Sequence, residues 1–272
     1  LDRNQGLIES SEISTDSLSP DYHRDYRFIR PGLSLQRNTE KNQLSLSIGA
    51  EWSDLNQILW DETIGKQQYF YLKPRINYNS QYKAGRRFEV SYSTGLQLPG
   101  IHQLMPVVST LNPLSLYQGN SSLEPEYQHN AGVEWRVFDE FSFTSFFARL
   151  SANYTENKIG MARTISENLE QYATPVNVAW GYGGNGSFNF STPIRPLDIE
   201  ISLDANERFN RGINVINDQE NIGTYLTHSL RFEVNNRNKN VWDVEMGASV
   251  SMTDSWFSIQ KTLNNRYFNF NY

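Results

Sequence analysis

Residues 197 to 206 read Leu-Asp-Ile-Glu-Ile-Ser-Leu-Asp-Ala-Asn, with an apolar residue at every odd position and a polar residue at every even one. Because successive side chains of a β-strand point to opposite faces, this alternation predicts a strand with one apolar and one polar face. The same period recurs at residues 87–98, 127–137 and 242–252. Helical periodicity is not sustained over three turns anywhere in the sequence, so the predicted fold class is all-β.

The pattern predicts ten complete strands and the start of an eleventh near Tyr267. The predicted strands cover residues 22–37, 43–53, 68–80, 86–98, 126–138, 140–155, 176–191, 197–207, 222–235 and 241–253. The connections between them alternate in length. Short turns are expected at residues 38–42, 81–85, 139, 192–196 and 236–240, and long connections at residues 54–67, 99–125, 156–175 and 208–221.

This alternation of connection lengths favours a membrane protein. In an up-and-down meander successive turns fall on opposite ends, so all short turns share one end and all long connections the other. That is the layout of outer-membrane barrels, which have short periplasmic turns and long extracellular loops. We therefore predict an antiparallel up-and-down transmembrane β-barrel, with Trp135 and Trp242 in a periplasmic aromatic girdle. A soluble β-rich binding module remains an alternative, because its strands also alternate.

Composition excludes several function classes. The net charge is −6 and the basic residues are scattered, so the sequence lacks the basic stripe that nucleic-acid binding requires. Cysteine is absent, which excludes disulfides and thiolate metal sites. The 36 aromatic residues (15 Tyr, 15 Phe and 6 Trp) suit surfaces that combine apolar bodies with polar tips. No run of about 18 apolar residues predicts a spanning helix.

The sequence contains no pattern typical of an enzyme. Its four histidines, at positions 23, 102, 129 and 228, do not stand in metal-ligand spacing, and no cofactor or metal site is expected. The glycines between Gly181 and Gly186 lie in a strand-like aromatic run without a following helix, so they are expected to relieve crowding rather than bind phosphate.

The long connection carries a family resemblance. It contains Leu98, Pro99, Gly100, Ile101, His102, Gln103, Leu104, Met105 and Pro106, then Asn112, Pro113 and Leu114, then Tyr117, Gln118, Gly119 and Asn120, and it ends on Leu123, Glu124, Pro125 and Glu126. These roughly 30 residues resemble the region of Bacteroidetes TonB-dependent receptor barrels in which a proline-rich stretch leads to an Asn-Pro-Leu motif and a Gly-Asn pair before the next strand.

The resemblance implies a nutrient importer in the bacterial outer membrane. Complete members enclose a plug in a barrel of about 22 strands, so residues 1–272 would form about half of the wall, without the plug that contacts TonB. A SusD-like surface lipoprotein would be a further partner, beside outer-membrane lipid. The transported glycan, peptide or metal chelate is not identified. A non-transporting barrel or surface scaffold is the alternative.

Two roles are expected within the motif. Residues expected to shape the loop are Pro106, Asn112, Pro113, Gly119, Asn120, Pro125 and Glu126. The candidates for substrate contact are His102, Gln103, Asn112 and Tyr117. The start at Leu1 without a signal peptide, and the final alternation ending at Tyr272, lead us to expect a piece of a longer chain.

Overall fold

The computed structural model describes residues 21–109, 115–166, 170–237, 243–259 and 261–272. They form one sheet of 14 strands. The strands are β1 (Tyr22–Ile29), β2 (Gly32–Asn38), β3 (Asn42–Leu59), β4 (Glu62–Lys83), β5 (Arg86–Gln97), β6 (Val108–Ser109), β7 (Ser115–Gln118), β8 (Glu126–Asp139), β9 (Thr144–Ile165), β10 (Gln171–Ile194), β11 (Ile199–Ile216), β12 (Gln219–Asn236), β13 (Glu245–Phe257) and β14 (Asn265–Asn271). A short helix spans Ile101–Leu104, and two 3₁₀ turns span Arg195–Leu197 and Lys261–Leu263.

The sheet is an antiparallel meander of eleven successive passes of the chain, here called crossings. Their order is β1, β3, β4, β5, β8, β9, β10, β11, β12, β13 and β14. β2 continues the first crossing, because β1 and β2 both pair with β3, on either side of a break at Arg30 and Pro31. These crossings confirm the predicted ten strands and the eleventh near Tyr267. Within the described residues the sheet is open, with β1 and β2 at one edge and β14 at the other.

One face of the sheet, here called the apolar face, exposes large apolar side chains. It includes Leu33, Leu35, Ile48, Trp52, Phe70, Leu72, Ile76, Val133, Leu150, Leu230, Phe232, Met246, Phe268 and Phe270. The pairing keeps them aligned, since Val90 lies opposite Val133, which lies opposite Leu150. So much exposed apolar area on a contiguous surface indicates that the surface contacts something other than water.

The opposite face, here called the polar face, carries small polar and charged residues in the same register. One row across neighbouring strands contains Asn77, Ser91, Gly132, Ser151, Asn185, Arg208, Thr227, Thr253 and Tyr267. A one-residue slip in any strand would move its apolar residues to this face, so the two-faced pattern fixes the register.

Four of the five turns predicted to be short lie within the described residues, at 39–41, 84–85, 140–143 and 195–198, and all four are short, as predicted. The fifth, predicted at 236–240, lies mostly outside the described residues. Gly85 has a φ of +69°, and an added Cβ there would lie 2.1 Å from the carbonyl oxygen of Phe138. In the next short turn the Asp139 carboxylate accepts hydrogen bonds from the backbone N–H groups of Phe141 and Ser142, at 2.9 and 3.0 Å. Local hydrogen bonds of this kind satisfy backbone groups where the ladders end.

For three of the four segments predicted as long connections, the prediction of a loop was wrong, because most of their residues belong to strands. Residues 54–67 and 208–221 continue the strands as hairpins, each closed by a tight turn, at Trp60 with Asp61 and at Asn217 with Asp218. All four turn residues have positive φ, as a two-residue type I′ turn requires. The connection at 156–175 also shortens, because β9 and β10 extend to Ile165 and from Gln171. Polar sequence made these extensions resemble loops.

The connection between β5 and β8, here called the long loop, folds onto the polar face. Leu104 and Leu123 of the loop pack with Leu55, Leu59 and Tyr22 into a buried apolar cluster. Leu55 and Leu59 lie on the same face as Glu51, opposite the exposed Trp52. The loop therefore covers the polar side of the first strands at the long-connection end of the sheet.

The turn at Gly85 gives a direct test of the fold. We expect Gly85→Ala to lower the free energy of unfolding by about 1–3 kcal/mol, because alanine is strained at positive φ and its methyl group would collide with the Phe138 carbonyl. The measurement is a urea titration of the full-length protein in lipid vesicles, followed by tryptophan fluorescence.

The matched control is Gly95→Ala on β5. An added Cβ there meets no atom within 4 Å, so that variant should keep wild-type stability. Equal destabilisation by both substitutions would contradict the role given to Gly85.

Candidate functional site

The short helix Ile101–Leu104 begins the long loop and orients it. The Gly100 N–H donates to the Gln103 side-chain oxygen at 2.8 Å, which closes the first turn. Leu104 is fully buried, whereas His102 is exposed. Gln103 thus stabilises the start of the helix, and only His102 of these two substrate-contact candidates presents its side chain to solvent.

Gly119 and Asn120 dock on the carbonyl groups of this helix. The Asn120 N–H donates to the Gln103 carbonyl at 2.6 Å, and the Gly119 N–H donates to the Met105 carbonyl at 3.1 Å. A Cβ on Gly119 would lie 2.3 Å from the Met105 oxygen and 2.8 Å from the His102 oxygen. Only glycine permits this approach, so the Gly-Asn pair closes the loop.

The end of the long loop is fastened to the β9–β10 hairpin. The Asn120 side chain donates to the Pro175 carbonyl at 3.2 Å, and the Ile159 N–H donates to the Glu126 carboxylate at 2.7 Å. Asn177 bonds both the N–H and the carbonyl of Glu124, at 2.8 and 3.0 Å. The sequence singled out Asn120 and Glu126, but it missed Asn177, which lies some 50 residues away and carries no motif signal.

The remaining predicted residues divide between structure and surface. Tyr117 is half-buried, its hydroxyl donates to the His102 carbonyl at 3.2 Å, and burial raises its pKa. Pro125 is fully buried, and the Pro106 carbonyl accepts a bond from Gln118 at 3.0 Å. Asn112 and Pro113 lie outside the described residues. The structure thus gives most motif residues contacts within the loop.

A charged cluster lies on the polar face beneath this end of the sheet. Glu51 is fully buried and contacts Arg30 at 2.7 Å, Lys73 at 3.0 Å and the Tyr26 hydroxyl at 2.6 Å. Two cations and a hydroxyl offset the cost of burying this carboxylate. The break at Pro31 was a visible sequence signal for this site, because Arg30 leaves the ladder there to reach Glu51.

Aromatic rings line the apolar face near its short-turn end. The ring centroids of Trp135 and Phe146 are 4.9 Å apart, and those of Phe146 and Phe188 are 5.3 Å apart. The Trp135 indole N–H donates to the Tyr82 hydroxyl at 2.9 Å. Such amphipathic rings are typical of the level where a bilayer meets water. Trp242, expected in the same girdle, lies outside the described residues.

The described residues hold no group of three or more histidine or acidic side chains placed to bind a metal ion. Across the same ranges, no helix has the length and apolar character needed to cross a membrane.

The sheet has the features of a membrane-spanning barrel wall. Nine of its strands, β3 to β5 and β8 to β13, have 12 to 24 residues and so exceed the 9–11 residues that cross a bilayer. Its exposed face is apolar with an aromatic row, and its other face is polar. A family model described as outer membrane protein beta-barrel family matches residues 50–272. The chain belongs to this family, and it is a protein of the bacterial outer membrane.

Two solved structures are similar to this chain at low sequence identity. One is a copper transporter, OprC, with 10% sequence identity and a TM-score of 0.49, covering 91% of this chain and 44% of that chain. Another is the siderophore receptor PirA from Pseudomonas aeruginosa, with 10% identity and a TM-score of 0.38, covering 91% and 54%. The chain spans about half the length of these two structures. No curated protein matches its sequence.

Neighbouring positions on β13 test which face contacts lipid. Val250 lies on the apolar face between Leu230 and Phe270, whereas Ser251 lies on the polar face between Ser229 and Asn269. We expect Val250→Arg to cost about 2–4 kcal/mol, because a charge would face hydrocarbon. Ser251→Arg should assemble normally. The measurement is heat-modifiable gel mobility of the membrane fraction, and equal assembly of both variants would contradict the orientation.

The docking of Gly119 predicts that Gly119→Ala loosens the long loop without unfolding the sheet. The expected result is faster protease cleavage within residues 99–125 on intact cells, with unchanged heat-modifiable mobility. Gly100→Ala is the control, because the nearest atom to its added Cβ is the Gln103 oxygen at 3.5 Å. Wild-type protease resistance of Gly119→Ala would refute the docking role.

Proposed function

We propose that this chain forms about half the barrel wall of a TonB-dependent transporter that imports a nutrient across the outer membrane. The observation that carries the proposal is the inward fold of the long loop. Leu104 and Leu123 bury themselves against the polar face, so the loop narrows the barrel mouth rather than projecting into the medium. A loop in this position can hold a ligand at the entrance.

The open edges support a larger barrel. β1 with β2 and β14 each leave one edge unpaired within the described sheet. An unsatisfied backbone group in the bilayer costs several kcal/mol, so both edges need partner strands in the membrane. Eleven crossings are half of the roughly 22 strands that surround a plug in transporters of this size.

The polar face suits a lumen that contains water and a plug domain. Several of its carboxylates have nearby cations, as in the pairs of Glu134 with Arg136 at 2.6 Å and Glu89 with Arg87 at 3.1 Å. Paired charges of this kind stabilise a polar lining, and these carboxylates are held in ion pairs rather than placed as a free acid and base. We therefore propose a transport role without catalysis.

The motif resemblance supports the energy source and the partners. It covers the residues between Leu98 and Glu126 and implies that TonB acts through a plug outside this chain. We also propose, by the same resemblance alone, that a SusD-like surface lipoprotein covers the extracellular mouth. The nutrient is a glycan, a peptide or a metal chelate.

The test is growth of the native bacterium on defined nutrients. Three strains are compared: wild type, a deletion of the full-length gene, and a strain whose encoded protein lacks only its TonB-contacting segment. We expect both altered strains to lose growth on the same glycan, peptide or chelate, because import needs both the barrel and the energy coupling.

The controls separate transport from scaffolding. The segment-deleted protein must remain in the outer membrane with normal heat-modifiable mobility. Normal growth of the segment-deleted strain on a nutrient that the gene deletion abolishes would exclude TonB dependence. Normal growth of both strains on every nutrient tested would favour a surface scaffold.

A further inference from the structure

A cleft of about 230 Å³ opens where β9, β10, β11 and β12 meet, towards the end of the sheet that carries the long loop. Its lining includes Lys158, Asn153, Asn210, Asn214 and Tyr225. None of the ten residues that line it is an aspartate or a glutamate. The lining also contains Arg211, whose guanidinium lies 5.9 Å from the centroid of the Trp180 ring. The cleft therefore combines cations with amide and hydroxyl groups and has no acidic wall.

Glycines form the floor of this cleft. Gly181, Gly212 and Gly223 lie opposite one another on three adjacent strands. An added Cβ on Gly181 would lie 2.3 Å from Cδ of Lys158, and one on Gly212 would lie 3.3 Å from its Nζ. The Lys158 side chain thus occupies the space that the missing side chains leave.

Two amides flank the lysine. A Cβ on Gly183 would lie 3.1 Å from the Asn153 side-chain oxygen and 2.8 Å from that of Asn210. Both amides therefore lean over a fourth glycine, two residues along β10 from the one beneath Lys158. Each amide can donate to an oxygen atom of a ligand and accept from a hydroxyl.

Lys158 has no acidic partner in the described ranges. None of the ion pairs formed there includes it, whereas Lys73 on the polar face contacts Glu51 at 3.0 Å. Lys158 is half-buried. A partly desolvated ammonium group without a counter-ion is unfavourable, and a bound anion would compensate for the lost hydration.

We propose that this cleft binds the anionic group, a carboxylate or a phosphate, of a hydroxyl-rich ligand. Lys158 supplies the charge, Asn153 and Asn210 bond the ligand's oxygen atoms, and the glycine floor leaves room for close approach. The inference rests on the proposed function, because it places an acidic nutrient at the barrel mouth. It assigns the recognition to side chains of β9 and β11 above the glycines of β10, rather than to the loop motif.

The test uses the purified full-length protein in detergent and needs no energised transport. Glucuronate and inorganic phosphate are the probes, and glucose is the matched neutral control for glucuronate. Dissociation constants are measured by isothermal titration calorimetry at low salt. We expect saturable binding of both anions, about tenfold weaker in Lys158→Met and retained in Lys158→Arg, since a charge-assisted hydrogen bond is lost only in the first.

Two further variants separate the site from general charge effects. Gly181→Ala keeps every charge but displaces Lys158, so it should also weaken anion binding. Arg163→Met removes an exposed cation on the same strand and should bind as wild type does. Equal binding of glucose and glucuronate, or equal anion binding by wild type and Lys158→Met, would overturn the site. TonB-dependent growth without anion binding would refute this inference alone.

Discussion

The hydrogen-bonding requirement of the backbone inside a bilayer governs this structure. A peptide group that crosses hydrocarbon finds no water, so each N–H and C=O must pair within the sheet. An antiparallel meander meets this requirement with local connections, and the chain pairs consecutive crossings from β1 to β14. The break at Arg30 and Pro31 is tolerated because Pro31 has no N–H and its carbonyl still accepts from Ala50 at 2.9 Å.

The two-faced pattern follows from the same constraint, and its exceptions are informative. Glu207 and His228 lie opposite each other on the apolar face of β11 and β12, where the imidazole Nδ1 contacts the Glu207 carboxylate. On the same face, Arg266 donates to Asp254 at 2.7 and 3.3 Å. In both pairs the partner side chain lies on the adjacent strand. Pairing reduces the cost of these charges, which explains how they occur among apolar neighbours.

Sequence periodicity predicted what depends on period two and missed what depends on distant contacts. The number of crossings and the two faces were predictable from the sequence. An apolar residue such as Leu203 or Val250 indicates by itself that its position on the strand faces apolar surroundings. The hairpin extensions were not predictable, because polar residues such as Asn210 and Asn214 are compatible both with a loop and with a solvent-exposed strand. The inward fold of the long loop depends on Leu55 and Leu59, whose positions on the otherwise polar side of β3 gave the only hint. The role of Asn177, which bonds Glu124 from another hairpin, could not be predicted from the sequence, because it depends on a contact between distant segments.

The loop motif and the proposed ligand cleft have separate physical roles. Gly119 and Asn120 form their hydrogen bonds with carbonyl groups at the Ile101–Leu104 helix and with the Pro175 carbonyl. These groups are therefore not available to bind a ligand. In the proposed transporter, a motif of this kind would set the shape of the barrel mouth and could stay the same while the transported nutrient changes. The side chains around it, which are not committed to the loop, can vary with the ligand. Lys158 is such a residue, because its backbone belongs to a strand ladder while its ammonium group has no acidic partner in the described structure.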